Sequence, residues 1–145
     1  MTDLDVDGLR EEWVGWEFDV ATFTIDADRM VAWAEACGET DPRFLDPAHD
    51  DFQAHPTFTS HCVSNRVLPD DFPKLGSGGI DGGKAVEVFR PVRAGDVLRG
   101  SATIAELYAK TGRSGTMIFI VQRMSFTNQN DEPVANVDWR MIRNG

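Results

Sequence analysis

The second half of the chain is dominated by long segments in which apolar and polar residues alternate. In residues 97–107, Leu98, Ala102 and Ile104 lie two or four positions apart with polar residues between them. Residues 134–142 repeat the pattern, which is typical of a strand with one buried face. Residues 116–126 are almost continuously apolar, as in a central strand covered on both faces. With a further strand over 84–92, these segments predict an antiparallel sheet.

The first half of the chain predicts one strand followed by two helices. The strand spans residues 16–24, and Asp26 or Asp28 can cap the helix that follows it. Gly38 ends this helix, as a C-terminal glycine often does. A second helix is predicted to begin at Pro56 and to run to about residue 67, before two prolines. The order predicts an α+β fold in a single domain over residues 1–145.

The composition excludes several classes of function. The net charge is −10, which argues against a nucleic acid or an anionic membrane as the partner. No apolar run approaches the roughly 18 residues that a membrane span needs, and the first ten residues do not resemble a signal peptide. We therefore expect a cytoplasmic protein. The acidity is concentrated in residues 1–82, with 18 acidic against 5 basic residues, whereas residues 83–145 have 6 against 9.

Cysteine and histidine positions give little indication of a metal or redox site. Cys37 and Cys62 both fall on predicted helices, and we expect two buried free thiols. His49, His55 and His61 recur six residues apart, a spacing that matches no compact set of metal ligands. We therefore expect neither a metal nor a cofactor.

Residues 38–44 read Gly-Glu-Thr-Asp-Pro-Arg-Phe and directly follow the first predicted helix. This heptad resembles the Gly-Asp-x-Asn-Pro-x-His signature of the MaoC-like (R)-specific hydratases and dehydratases. In that family the Asp and the His handle a water molecule at the double bond of an acyl thioester. Glu39 stands here in place of that Asp, and Phe44 in place of that His. The resemblance implies a hydratase-type subunit whose own catalytic pair is degraded.

Other segments extend the resemblance over nearly the whole chain. Residues 54–58, Ala-His-Pro-Thr-Phe, resemble the Ala-Pro-Pro-Thr-Phe that opens the central helix in the family. Residues 88–96 and 111–119 resemble its next strand, turn and hairpin. The chain most resembles the N-terminal MaoC-like dehydratase domains, including partner subunits of heteromeric acyl dehydratases. The resemblance implies a hot-dog fold, in which an antiparallel sheet wraps around a central helix and two such domains pair.

The resemblance also indicates where a substrate would bind. Glu39 is a weak candidate for a base, because a Glu places its carboxylate about 1.5 Å further out than an Asp and no neighbouring histidine is evident. Asp41, followed by Pro42, more readily forms a turn. Backbone N–H groups at the start of the second helix are suited to polarise a thioester carbonyl, and the basic side chains of the second half are suited to bind phosphates. The candidate substrate-binding residues are Asp41, Phe44, His55, Pro56, Thr57, Phe58, Arg90 and Arg113.

The sequence thus predicts a subunit of an acyl-thioester hydratase or dehydratase, which interconverts trans-2-enoyl and (R)-3-hydroxyacyl thioesters of coenzyme A or a carrier protein. A second MaoC-like subunit would carry the Asp/His pair, while this chain shapes the acyl pocket. Three alternatives remain open: a self-sufficient homodimeric hydratase, an acyl-CoA thioesterase, and an acyl-CoA-binding module without chemistry.

Overall fold

The computed structural model describes residues 4–76 and 78–144. Helix α1 (Val6–Trp13) precedes strand β1 (Glu17–Thr24), and helices α2 (Ala27–Ala36) and α3 (Pro42–Leu45) follow it. A short 3-10 helix spans Phe58–His61. The remaining elements are strands β2 (Gly79–Val88), β3 (Val97–Gly112), β4 (Gly115–Thr127) and β5 (Pro133–Asn144).

The five strands form one antiparallel sheet with the order β1-β3-β4-β5-β2. The predicted antiparallel α+β architecture is therefore confirmed. The apolar strand β4 lies in the centre, and residues 118–122 on it are all buried. Because β1 and β2 are the two edges, each leaves one row of backbone groups without a strand partner among the described residues.

One face of the sheet, here called the inner face, carries the core. Leu98 and Ala102 of β3, Met124 and Phe126 of β4 and Val137 of β5 project from this face and are almost fully buried. The helices and the loop between α2 and β2 cover them. Apolar residues that recur along α2, with Met30 completely buried, point toward this core as the sequence predicted.

The segment expected to form a long central helix does not do so. Only Phe58–His61 is helical, as one turn of 3-10 helix, and residues 62–68 (the crossing segment) run irregularly over the inner face. Side chains of the sheet take the backbone hydrogen bonds that a helix would use. Asp19 accepts the Arg66 N–H at 2.9 Å, and the Gln122 amide donates to the Val67 carbonyl at 2.8 Å. The prediction of an α-helix over residues 57–67 is therefore wrong.

The bounds of two strands also differ from expectation, since β3 runs to Gly112 instead of residue 107. Strand β2 begins at Gly79 instead of residue 84 and ends at Val88 instead of residue 92. An irregularity between Asp81 and Lys84 lets its glycine-rich start join the sheet. The sequence analysis did not predict helix α1, whose start is capped by Asp5. Its apolar side chains pack beside β3 against a second group of buried residues, here called the second core cluster: Leu75, Ile104, Leu107, Ile118, Ile120 and Met141.

Candidate functional site

The motif heptad forms the loop that follows helix α2. Asp26 caps the start of α2 by accepting the Arg29 N–H, and Gly38 adopts the left-handed φ of 73° that ends the helix. The predicted limits of this helix are therefore confirmed. Its end delivers Glu39 directly into the loop that leads to α3.

Both oxygens of the Glu39 carboxylate are engaged. Oε1 accepts the backbone N–H groups of Thr40 at 2.9 Å and Asp41 at 3.0 Å. These bonds, led by the one from Asp41, hold the pKa of Glu39 below its ordinary value, because they favour the charged form. A carboxylate stabilised in this way is a weaker base than a free one.

The second oxygen of Glu39 meets a histidine that the sequence analysis did not place beside it. Oε2 lies 3.2 Å from Nε2 of His55, which reaches the loop from the segment leading to the 3-10 helix. The two residues are 16 positions apart, and both are half-buried. The expectation that Glu39 has no neighbouring histidine is therefore wrong, because the loop after α3 folds back and brings residue 55 to residue 39.

The donors and acceptors around His55 define its tautomer. The Thr57 N–H can only donate, and it points at Nδ1 from 3.3 Å, so Nδ1 is the acceptor and Nε2 carries the proton toward Glu39. The Trp33 indole N–H donates to the Thr57 hydroxyl at 3.0 Å, and that hydroxyl lies 2.8 Å from Nδ1. The result is one chain of hydrogen bonds from Trp33 through Thr57 and His55 to Glu39.

Phe44 occupies the position where the motif has histidine. It lies on the short helix α3, is buried, and its ring meets the His55 ring edge-on at 5.4 Å between centroids. Phe44 has no group that can exchange a proton. It packs against the imidazole and helps to fix the ring plane.

Asp41 serves the loop in the manner that the sequence suggested. Its side chain accepts the Arg43 N–H at 3.0 Å and caps α3, while Pro42 occupies the first turn. The Arg43 guanidinium also binds it at 2.8 Å, and this hydrogen bond is the main cause of the lowered pKa of Asp41. The Asp41 carboxylate is therefore already committed to its own loop.

A small cavity lies beside His55. It measures about 30 Å³ and is lined among others by Pro56, Phe58, Val88 and Ala135. This space is enough for a water molecule but not for an acyl chain. Phe58 is 2 % exposed and belongs to the core. Only one turn of 3-10 helix lies here in place of the expected α-helix N-terminus, so binding of a thioester carbonyl at Pro56 to Phe58 stays a prediction.

Of the two arginines predicted to bind phosphates, Arg90 lies between Val88 and Pro91, which line the His55 cavity, whereas Arg113 lies far from it. Arg90, exposed after β2, pairs with Glu132 at 2.9 Å. Arg113 lies in the turn before β4, and the start of this strand at Gly115 is eleven residues from Phe126, or about 37 Å of strand. Phe126 pairs with Ala135, which lines the His55 cavity. The structure thus brings together Glu39, Phe44, His55, Pro56, Thr57 and Phe58, but not Arg113.

The other histidines and the cysteines have separate environments. His61 stacks on the Trp33 ring at 5.0 Å and contacts the Phe58 carbonyl through Nδ1. Within residues 4–76 and 78–144, no three or more His, Cys, Asp or Glu side chains are grouped as metal ligands would be. Cys62 is buried, but Cys37 is exposed at the end of α2, so the expectation of two buried thiols is wrong for Cys37.

Residues 12–137 match the family described as FAS1-like, dehydratase domain region. The chain belongs to this family. No curated protein matches the chain. None of the helices in the described part of the FAS1-like chain is both long and apolar enough to cross a membrane.

Solved structures share the fold of this FAS1-like chain. R-hydratase PhaJ1 from Pseudomonas aeruginosa is 22 % identical, with 90 % of this chain and 81 % of that chain covered and a TM-score of 0.61. The ChsH1-ChsH2 complex from Mycobacterium tuberculosis is 19 % identical, with 96 % and 88 % covered and a TM-score of 0.68. The truncated HadBC (3R-hydroxyacyl-ACP dehydratase) complex from the same organism is 19 % identical, with 84 % and 90 % covered and a TM-score of 0.62. These likenesses confirm the hot-dog fold.

Proposed function

We propose that the chain is one subunit of an acyl-thioester hydratase or dehydratase and that a second MaoC-like subunit supplies the acid–base pair. In this assembly the chain completes the fold around the acyl group and does not itself move a proton. The substrates are trans-2-enoyl and (R)-3-hydroxyacyl thioesters, the chemistry to which the family membership and the motif heptad point.

One observation carries the proposal: the carboxylate of Glu39 and the imidazole of His55 are already engaged within the chain. Phe44 replaces the proton-transferring histidine, and both Glu39 oxygens and both His55 nitrogens have partners within the chain. The adjoining cavity of about 30 Å³ excludes an acyl chain. A thioester would therefore have to react on a surface that a partner provides.

The surface around β2 supports a partner subunit. Strand β2 is an edge strand of ten residues, and the chain around it exposes large apolar side chains. Ile80 is 57 % exposed, Phe89 is 50 % exposed, and Val63 of the crossing segment is 52 % exposed. An open edge beside apolar residues favours pairing with another sheet. The ChsH1-ChsH2 and HadBC structures, which share the fold, are themselves two-component complexes.

The test measures hydration of crotonyl-CoA by three samples: the isolated chain, a MaoC-like subunit of the same organism that carries the Asp/His pair, and the mixture of the two. Because general acid–base groups are each worth about 10²- to 10⁴-fold, the isolated chain should show little or no turnover. The mixture should be active, and replacing the partner's Asp or His should abolish the activity. Glu39→Gln in this chain should leave the rate of the mixture within about twofold, since Glu39 serves the loop.

The contact between Glu39 and His55 favours one second candidate, a self-sufficient hydratase with a relocated acid–base pair. The two groups lie 3.2 Å apart beside a cavity with room for one water, which is the co-substrate of hydration. The same assay separates the candidates. Turnover by the isolated chain that Glu39→Gln and His55→Gln both abolish, and that the control Asp41→Asn preserves, would establish the relocated pair and overturn the leading proposal.

A further inference from the structure

A second cavity lies at the opposite end of the inner face. It has a volume of about 340 Å³. Its apolar lining comes from Leu68, Phe72, Leu75 and Ile120, of which Leu75 and Ile120 are buried in the second core cluster. Volume and lining fall within the range of small-molecule sites, which are mostly apolar with a few polar groups that orient the ligand.

This cavity is separate from the motif loop. Arg143 lines it, whereas Ala135 lines the small cavity beside His55. The two residues are eight positions apart on β5, which corresponds to about 27 Å along a strand. Between these two ends, the inner face is filled by buried side chains such as Met124 and Gln122. A ligand of the larger cavity therefore does not reach His55.

Two cations line the cavity, and no carboxylate among the described residues lies within 4.0 Å of either. Several other arginines have such partners, among them Arg90, Arg99 and Arg123. The described partner of the Arg143 guanidinium is the carbonyl of the preceding residue at 3.4 Å. A guanidinium has five N–H donors, and among residues 4–76 and 78–144 only this one carbonyl accepts from the Arg143 guanidinium. Lys74, which is exposed, supplies the second charge.

The Arg143 guanidinium lies close to the backbone of β2. A Cβ at Gly79 would lie 2.1 Å from Nη1 of Arg143, so the guanidinium occupies space that a side chain at this position would need. Gly79 pairs with Arg143 across the two strands. The side chain is half-buried, which limits its freedom and strengthens its interaction with an anion.

We propose that this cavity binds an amphipathic anion, a fatty carboxylate whose chain lies on Leu68 and Phe72 and whose head binds Arg143 and Lys74. The ligand needs both an apolar chain and an anionic head. The lining offers apolar surface for the chain, and the cations offer charge-assisted hydrogen bonds for the head. The proposal is independent of the acid–base chemistry at Glu39.

Isothermal titration of the full chain with dodecanoate, below the concentration at which it forms micelles, tests the proposal. Saturable binding is expected, weaker at high salt. Arg143→Gln should weaken it about tenfold or more, and Lys74→Gln less, since Lys74 is exposed. Arg113→Gln removes one charge at the hairpin turn outside the cavity and should leave the affinity unchanged. Dodecanol, which lacks the charge, should bind at least about tenfold more weakly.

Coenzyme A without an acyl group is the second arm, because its phosphates could also bind the two cations. Competition between coenzyme A and dodecanoate that Arg143→Gln removes would overturn the fatty carboxylate in favour of a nucleotide phosphate. Dodecanoate affinity weaker than about 1 mM would also overturn the proposal, as would equal losses in Arg143→Gln and Arg113→Gln. If Arg143→Gln lowers the melting temperature, Arg143→Lys, which keeps the charge but loses the planar fork, replaces it and should still weaken binding.

Discussion

Gln122 provides the sharpest test of why the crossing segment is not a helix. Its buried amide donates to the Val67 carbonyl at 2.8 Å and to the Ser64 hydroxyl at 3.1 Å, and lies 3.4 Å from the Arg66 carbonyl. Gln122→Met keeps the length and removes every donor. A part-buried carbonyl that loses its partner costs about 1–3 kcal/mol, so we expect the free energy of unfolding to fall by about 2 kcal/mol.

The measurement is urea unfolding of the two proteins, with thermal unfolding as a second observation. A loss of about 2 kcal/mol corresponds to roughly 8 °C in the melting temperature for a chain of this size. Ser125→Ala is the matched control. It lies on the same strand but on the other face of the sheet, and should change stability by less than about 0.5 kcal/mol. If Gln122→Met is as stable as this control, the amide does not hold the segment and the explanation fails.

Three further predictions concern reactivity, acid stability and assembly. Burial raises the pKa of the Cys62 thiol to about 11, so at neutral pH an alkylating reagent should modify exposed Cys37 and leave Cys62 intact in the folded chain, as peptide mass spectrometry will show; equal labelling would contradict this. Because the folded-state pKa of Glu39 is lowered, its charged form stabilises the fold above its ordinary pKa of 4.5 and this stabilisation disappears as the pH falls. Unfolding midpoints measured between about pH 6 and pH 3 should therefore fall less steeply for Glu39→Gln than for the wild type, and parallel curves would refute this. In sedimentation experiments, Phe89→Glu beside edge strand β2 should prevent the chain from forming a complex with the second MaoC-like subunit. Trp16→Glu, an equally drastic change beside the other edge strand β1, should not.

The sheet was predictable from the sequence because its signals are local. Alternation around Leu98 and Ala102 requires no knowledge of the partner strand, and the continuous apolar run of β4 indicates a central position. The cap at Asp26 and the end at Gly38 are likewise local chemistry, since each depends on one or two neighbouring residues.

The errors arose where distant residues compete with local preference. Pro56 and the threonines after it are consistent with a helix start, but Asp19 and Gln122, 47 and 55 positions from the groups they bind, take the backbone bonds of the crossing segment. The pairing of Glu39 with His55 depends in the same way on the path of the whole loop. Its only signal in the sequence was a histidine where the related motif has proline.

The most direct test of the proposed function measures hydration of crotonyl-CoA at equal total protein. It compares the chain alone with a mixture of the chain and a MaoC-like subunit that carries the Asp/His pair. The account predicts little or no turnover for the isolated chain, because Phe44 cannot transfer a proton and Glu39 is held by its loop and by His55. It predicts that activity in the mixture depends on the partner's Asp and His. Ordinary turnover by the isolated chain, lost on Glu39→Gln, would contradict it.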